Sequence, residues 1–440
     1  MTMGLRSCVA ALAVLLGASS IRAESAPPVD AAPAPVVETP VAPPAPVAPP
    51  APAADPSDWK FAFHGFAGVS FYVQDTASLV LNGQGVLLPL SQPASGITTG
   101  ADIRQSRFNF SVTGPKVFGG VPKAVLEIDL FGLDSPGGYG EVSAYSRVRL
   151  AYAELKWAND IIRLGQDHEL ILGGIVPESI AHQAFLSTYA NGQLGWREPG
   201  IGYFHNISLG TSRVEVAAQV LKADWENPVG FGTPTNADLN VDYGQLSGYP
   251  GVEARVKYVD DHVTAFIAGH YNRVSGSKAG GLAVAPATPP TRDWDVVAGV
   301  ATVKATYYGV TAIASVYDGK NLGPLLGELL QFVTANDVAE WGGWVQVGYD
   351  VTKELSATAI GGIARPDESE IASAGGGRAR NSMVGGMIRY KIAGVSFGPE
   401  FYHVVAKKIT ATGKGAAAGA GAPDGMIHSN QFLLSGQYQF

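Results

Sequence analysis

Sixteen segments that alternate apolar with polar or small residues fill the chain beyond Trp59, and they constrain its fold more than any other feature. A period of two places successive side chains on opposite faces of a strand. Segments of about ten residues are long enough to cross a bilayer as tilted strands. They lie near 60–73, 103–113, 123–132, 146–156, 160–167, 197–209, 212–222, 249–259, 262–273, 293–305, 308–318, 341–350, 353–364, 381–391, 394–405 and 428–440.

Beyond the N-terminal region, no stretch of the sequence contains the roughly 18 consecutive apolar residues that a membrane-spanning helix requires. Lipid offers no partner for backbone N–H and C=O groups, so strands cross a bilayer only as a closed barrel. We therefore predict an all-β fold, a transmembrane antiparallel β-barrel of about sixteen strands over residues 59–440. For any single segment, a strand of a soluble sandwich is the alternative.

The connections between the segments alternate in length, which supports the barrel. Seven are short and eight are long and rich in Gly, Pro and Ala, including 274–292, 319–340 and 406–427. Short periplasmic turns and longer outer loops are typical of outer-membrane barrels. Aromatic residues beside the short turns and the C-terminus predict a girdle at the membrane interface: Trp157, Tyr258, Tyr307, Tyr308, Tyr349, Tyr390, Tyr438 and Phe440.

The last segment shows the alternation most plainly. Counted from Phe432, every second residue through Tyr438 to Phe440 is apolar or glycine, and the intervening residues are polar except Leu433. One face therefore suits lipid and the other a wet interior. The terminal aromatic resembles the signal by which barrel-assembly machinery recognises outer-membrane substrates, which assigns Phe432, Tyr438 and Phe440 to that signal.

The N-terminal region differs from the rest in composition. Arg6, a short apolar run from Cys8 to Ala18 and small residues up to Ala23 predict a secretory signal peptide over 1–23, with cleavage after Ser20 as an alternative. The Ala- and Pro-rich segment 24–58 predicts an extended periplasmic linker, with a protein-binding arm as the alternative. Cys8 is the only cysteine, so the mature chain has no disulfide and no cysteine metal site.

The long connection over 168–195 is distinguished by its apolar stretch from Leu170 to Val176. It is interpreted as the only extended connection that contains a substantial apolar stretch. Displaying such a stretch to water is costly, so the loop is predicted to fold into the barrel as a constriction. Packing against a neighbouring subunit is the alternative.

Charges are costly on the lipid face, so the alternation turns the charged residues of the early strands inward. The inward residues are Arg107, Glu127, Asp129, Arg147, Arg149, Arg163 and Asp167. The arginines either form a basic patch near the constriction or make cross-strand ion pairs, Arg107 with Glu127 or Asp129 and Arg149 with Asp167. Acids of the loop, Asp167, Glu169 and Glu178, would face the arginines and create a transverse field.

No enzyme motif, phosphate loop or paired-cysteine spacing occurs, so we predict no catalytic residues, no metal site and no cofactor. The run Asp167-His168-Glu169 is a poor metal site because consecutive residues point in different directions. The formal net charge of −8 gives no reason to expect a nucleic-acid partner.

Four stretches together resemble the early strands of DcaP-like and phosphate-selective-type outer-membrane porins: Ser106–Gly114, Leu126–Gly132, Arg149–Leu155 and Arg163–Gln166. The resemblance is clearest over 103–200 and implies a homotrimer of sixteen-stranded barrels that takes up small, often anionic solutes. The lining arginines of that family match Arg107, Arg147, Arg149 and Arg163 by strand position only. The candidate constriction loop departs from the phosphate-selective pattern because it has no basic residue, and the Pro-rich segment differs from the helical extension of some DcaP-like members.

The predicted function is that of an outer-membrane porin for passive diffusion of small hydrophilic solutes, with anions among the candidates. Its predicted partners are outer-membrane lipid, those solutes, two further copies of the chain and the assembly machinery. The alternative is a structural or anchoring protein of the outer membrane that binds a periplasmic partner through its Pro-rich arm.

Overall fold

The computed structural model describes residues 59–79, 81–91, 96–132, 145–222, 243–278, 292–331, 335–415 and 425–440. The predicted signal peptide and linker lie outside the described residues. Among the described residues, almost all regular structure is β-strand. The α-helices described there, Tyr243–Ser247 and Glu368–Ser373, are short and lie in connections between strands.

The strands follow one another along the chain and are labelled β1 to β19. They are β1 Lys60–Gln74, β2 Ala77–Ser78, β3 Pro89–Ser91, β4 Thr98–Asp102, β5 Arg107–Thr113, β6 Val121–Asp129, β7 Arg147–Lys156, β8 Asp160–His168, β9 Arg197–Leu209, β10 Ser212–Leu221, β11 Gly251–Val259, β12 Val263–Ser275, β13 Asp293–Tyr307, β14 Val310–Lys320, β15 Ala339–Asp350, β16 Leu355–Pro366, β17 Gly376–Ile392, β18 Val395–Thr410 and β19 Met426–Gln439.

Sixteen wall positions close into a barrel. Strands β2 and β3 form a separate small hairpin, while β4 and β5 share one wall position because both pair with β1. From β5 onward each strand pairs antiparallel with the next, and β19 pairs with β1 over Phe66–Gln74 to complete the ring. Each predicted segment corresponds to one wall position, so the predicted fold class is confirmed.

The two faces of the wall differ as the alternation predicted. On β19 the side chains of Phe432, Leu434 and Tyr438 are exposed on the outer surface, while Gln431 and Ser435 are buried inside. The same alternation of exposed apolar and covered residues occurs on β11, β13 and β15. An apolar outer surface of this kind belongs in contact with lipid.

The connections also follow the predicted pattern. Seven turns contain two to seven residues, and eight connections contain nine or more. Aromatic residues of the short-turn side, including Tyr307, Tyr308, Tyr349 and Tyr438, are exposed. Both the start of β1 and the end of β19 lie on this side, where the backbone of Phe440 exchanges two hydrogen bonds with Gly65.

Within the described residues, no helix has the length and apolar character needed to span a membrane.

Candidate functional site

The connection between β8 and β9, residues 169–196, lies inside the barrel. Its apolar residues Leu170, Ile171, Ile180 and Ala181 are almost completely buried. Ile171 and Ala181 pack with inward side chains of the wall, such as Phe266 of β12, in the largest apolar cluster of the described residues. Leu170 belongs to a smaller cluster with Phe204 of β9. Removing this apolar surface from water favours the inward position of the loop, as the sequence predicted.

The tip of this loop binds to a glutamate of the opposite wall. The carboxylate of Glu400 on β18 accepts hydrogen bonds from the Ser179 hydroxyl at 2.6 Å and from the backbone N–H groups of Ile180 and Ala181 at 2.7 and 2.8 Å. Tyr402 donates a further hydrogen bond at 2.7 Å. Hydrogen bonds to a charged acceptor are among the stronger ones in proteins, so Glu400 is a major attachment point of the loop.

Other parts of the loop are attached to the wall in a similar way. The amide of Gln346 on β15 bonds to both the backbone N–H and the C=O of Glu178, at 2.8 and 2.9 Å. The indole of Trp344 donates to Gln193 at 2.7 Å. At the start of the loop, the Leu170 N–H donates to Glu253 of β11. Contacts on several strands hold the loop across the interior.

Two further apolar connections enter the barrel, so the expectation that 168–195 is the only one with an apolar stretch is wrong. Val86, Leu87 and Leu88 of the connection after β1 are buried, as are Leu322, Leu325 and Leu329 of the connection after β14. All of them join the apolar clusters that contain the β8–β9 loop. Three of the connections that the structure describes therefore narrow the interior.

The inward packing also explains the one exception to the alternation on the last strand. Leu433 points into the barrel and is 0% exposed. It belongs to the apolar cluster that includes Ile171 and Ala181 of the loop. An apolar residue on the inner face is stable here because it meets the loop and not water.

The arginines of the early strands lie together on the inner wall beside the loop. Arg147 contacts Asp129 at 2.6 Å, and Arg149 contacts Glu127 at 2.8 Å and Asp129 at 3.0 Å. Arg107 lies 3.6 Å from Glu127. We call these three arginines and two acids the β5–β7 charge cluster. Its ion pairs join neighbouring strands of the wall.

Arg163 belongs to a separate group. Its guanidinium bonds to Glu154 at 2.6 Å and to Asp167 on its own strand. The predicted pairing of Arg149 with Asp167 is therefore wrong. The strand register explains the difference. Glu154 lies directly opposite Arg163, and Asp167 is four residues further along the same face of β8.

The structure does not bring the predicted loop acids together opposite the arginines. Asp167 belongs to β8 and is neutralised by Arg163. Glu169 is buried against the wall, where it accepts the Trp196 N–H. Glu178 pairs with Arg389 of β17 at 3.1 Å. The acids that face the arginines are instead Glu127 and Asp129 of the wall itself.

Contacts with the loop distinguish the arginines from one another. Arg107 donates to the backbone oxygen of Gln183 at 2.8 Å. The guanidinium of Arg147 lies within about 5 to 6 Å of the rings of Phe185 and Trp196, a favourable cation–π arrangement. The side chains of Arg107 and Arg147 are 20% and 22% exposed, whereas that of Arg149 is 5% exposed. Arg107 and Arg147 thus reach solvent at the edge of the loop. Arg149 is buried and forms ion pairs within the wall.

The sequence reasoning missed several residues that position the loop. Glu253, Glu400 and Gln346 were inside predicted strands but were not singled out, and Arg197 and Arg389 were not assigned. A carboxylate or amide side chain on the inner face of a strand was the available signal. Only the folded structure shows which of these side chains accept hydrogen bonds from the N–H groups of the loop.

Burial also sets the ionisation of two side chains in the loop. It lowers the pKa of His182, whose Nε2 lies 3.2 Å from Gln431, so the neutral imidazole is favoured. Burial raises the pKa of Tyr189 to about 12. Both side chains are therefore uncharged at neutral pH within the packed loop.

Comparisons with solved structures identify the fold. The outer-membrane channel DcaP of Acinetobacter baumannii is similar over 88% of this chain and 99% of its own, with a TM-score of 0.62 and 14% identity. An anion-selective porin from Comamonas acidovorans covers 87% of this chain and 100% of its own, with a TM-score of 0.53 and 11% identity. OmpF of Salmonella typhi, in a complex with daunomycin, covers 87% and 98%, with a TM-score of 0.54 and 12% identity.

No protein-family model and no curated protein matches the chain in sequence. The structural matches therefore define its class at the level of the fold, which is that of the outer-membrane porins. The DcaP-like fold implied by the early strands is confirmed.

Proposed function

We propose that this chain is an outer-membrane porin through which small hydrophilic solutes diffuse passively. The observation that carries the proposal is the closed sixteen-position barrel whose β8–β9 loop crosses the interior and ends beside solvent-accessible arginines. A barrel of this size encloses more space than its own wall side chains fill. The loop reduces that space, so size and charge are selected at its edge.

The charge at this edge favours anions. The β5–β7 charge cluster contains three arginines and two acids, an excess of one positive charge. Arg197 is buried nearby, with its guanidinium 3.9 Å from the Trp196 ring centroid. The excess positive charge lies where Arg107 and Arg147 reach solvent. Solutes with a carboxylate or another compact anionic group suit such a site.

Ion conduction through a planar bilayer tests the function directly. The purified protein is expected to give discrete conductance steps. Under a salt gradient, the sign of its reversal potential is expected to indicate a preference for anions. The double variant Arg107→Glu and Arg147→Glu should move that potential toward cation preference. A charge reversal at Arg273, which pairs with Asp293 away from the loop, is the matched control and should leave it unchanged.

Two outcomes would contradict this assignment. The absence of conductance from folded, inserted protein would reject the porin and favour the anchoring function of the Pro-rich arm. Conductance with equal selectivity in the wild type and the double variant would keep the pore but reject the arginines as its selective element.

We further propose that the protein acts as a homotrimer in the outer membrane, as the family resemblance implies. Light scattering of the detergent-solubilised protein, corrected for bound detergent, measures the number of chains. A mass of one chain under conditions that preserve the fold would reject the trimer.

A further inference from the structure

Two basic side chains lie directly opposite each other near the end of the barrel that carries the long connections. Arg378 pairs with Lys408 in the strand register, close to the start of β17 and to the end of β18. Lys408 continues the inward series of Tyr402, Val404 and Ala406, so both basic residues belong to the inner face. Like charges in directly opposite positions repel each other, so this pair is unfavourable unless negative charge lies close to it.

The part of the chain that the structure describes supplies no carboxylate to this pair. Neither Arg378 nor Lys408 takes part in an ion pair with a described residue. The guanidinium of Arg378 is instead oriented by backbone oxygens, since Nε donates to Leu329 and Nη2 donates to Leu330, both at 2.7 Å. The Nζ atom of Lys408 has no hydrogen-bond partner among the same residues. The two positive charges are therefore held close together without a described acid to neutralise them.

A neighbouring basic pair on the outer face shows the contrast. Arg380 is the cross-strand neighbour of Lys407. Lys407 has the same parity as Phe401, which is exposed on the outer surface, so this second pair faces outward. There the carboxylate of Glu368 lies 2.6 Å from Nζ of Lys407 and supplies negative charge. The inner pair has no such acid in the described structure and is available to an anion from solution.

A cavity of about 400 Å³ lies against the inner pair. Its lining includes Arg378, Lys408, Gln331, Thr410 and the glycines of 375–377, so it is mainly polar. The volume is within the range of small-molecule sites. The amide of Gln331 bonds to both backbone groups of Arg378, at 3.0 and 2.6 Å, and thereby fixes one wall of the cavity. A site whose charged group is already held in position binds a ligand with a smaller loss of entropy.

We propose that Arg378 and Lys408 form an anion-binding site at the outer mouth of the barrel, which takes the carboxylate of a small hydroxylated acid. Guanidinium and ammonium groups both donate strong hydrogen bonds to a carboxylate. The amide of Gln331, the hydroxyl of Thr410 and the glycine backbone suit the hydroxyl groups of such a solute.

The role of this site rests on the proposed porin function, because the anion reaches the inner face on its way through the barrel. Lys408 lies farther along β18 than Glu400, toward the long connections. Glu400 binds the tip of the β8–β9 loop, so a solute from the outer side meets Arg378 and Lys408 before it meets that tip. The site is also separate from the β5–β7 charge cluster, which lies on other strands.

Binding of glucuronate, with glucose as the neutral match, tests the site in the full-length protein in detergent. Arg378 also holds the β14–β15 connection, so Lys408 is the residue to vary. Saturation-transfer NMR is performed in the Arg107→Glu and Arg147→Glu background, which removes the contribution of the β5–β7 charge cluster. Glucuronate should bind at least tenfold more tightly than glucose, and Lys408→Gln should weaken it about tenfold, the loss expected for one hydrogen bond to a charged group. Lys407→Gln, the same charge change on the outer face of the same strand, is the matched control and should leave binding unchanged.

The charge-preserving variant Lys408→Arg should retain glucuronate binding, and heat-modified migration on a gel verifies that each variant is folded. The site would be overturned by a lack of glucuronate binding, by equal binding of glucose, or by equal losses in Lys408→Gln and Lys407→Gln.

Ion conduction separates this proposal from the porin function. Glucuronate added on the long-connection side of a planar bilayer should reduce the current, and Lys408→Gln should require about ten times more glucuronate for the same reduction. Glucuronate binding that depends on Lys408 in a protein that does not conduct would reject the porin and support the site. Conduction with the same glucuronate effect in the wild type and Lys408→Gln would keep the porin and overturn the site.

Discussion

The attachment of the loop tip to Glu400 leads to a quantitative prediction. Replacing Glu400 by Ala removes the acceptor of three hydrogen bonds from the loop, those of Ser179, Ile180 and Ala181. A hydrogen bond to a charged group contributes about 1.5 to 3 kcal/mol, and such contributions are not additive. Water can satisfy part of the lost bonding once the loop moves. We call the loop seated when its tip is bound to the wall and released when it is not. We therefore expect the free-energy difference that favours the seated loop to decrease by about 2 to 4 kcal/mol in total.

This loss corresponds to a shift of about 30- to 700-fold in the ratio of seated to released loop, at about 1.4 kcal/mol per tenfold change. Single-channel recording should show larger conductance levels or frequent excursions to them in Glu400→Ala. Glu400→Gln keeps a carbonyl oxygen that can accept from Ile180 and Ala181, so its effect should be smaller. Glu354→Ala removes an exposed acid of a short turn without touching the loop, and it is the control.

The reasoning is refuted if folded Glu400→Ala has the conductance and the noise of the wild type. In that case the apolar packing of the loop would suffice to hold it. Equal effects of the Ala and Gln variants would show that packing around residue 400, and not the acceptor oxygens, determines the position of the loop tip.

Three other predictions concern the loop and the chain end. Burial lowers the pKa of His182, so the packed position of the loop favours the neutral ring. The stability of that position is complete above the ordinary pKa of 6.5 and falls as the pH drops below it. Single-channel recordings at decreasing pH should therefore become noisier in the wild type but not in His182→Gln. A Cβ added at Gly192 would lie 2.2 Å from the Gly343 oxygen, so Gly192→Ala should displace the loop and increase conductance. Gly174 also has a positive φ but faces open space, so Gly174→Ala should leave conductance unchanged. Equal conductance in the two variants would reject the steric argument. Deleting Phe440 should reduce the amount of assembled protein in cells and leave single-channel conductance unchanged, and normal assembly would contradict its role as a signal.

The alternation of side chains was enough to predict the wall of the barrel. A strand with one face in lipid must be apolar at every second residue, and that demand repeats independently in each segment. The lipid face of Leu434 and the inner face of Arg147 follow from the same rule. Strand boundaries beside the short turns needed only local information, because each short turn ends one alternating segment and starts the next. On the long-loop side, β17 begins and β18 ends five residues beyond the predicted segments.

Assigning the partners of the charged residues requires the register of the strands. Arg149 could face Asp167 or Glu127 as far as sequence spacing shows, because a shift by two residues preserves the face and changes the neighbour. The register places Arg163 opposite Glu154 and leaves Arg149 to the acids of β6. A prediction based on parity therefore finds inward charges but does not assign their ion pairs.

The alternation and the apolar run after β8 were sufficient to predict a barrel, the lipid-facing side of each strand and a loop that avoids water. The place where that loop binds could not be predicted in the same way, since its partners Glu253, Gln346 and Glu400 are separated from it by 83 to 221 residues. Contacts over such separations depend on the closure of the whole ring, which brings β11 to the start of the loop and β18 to its tip.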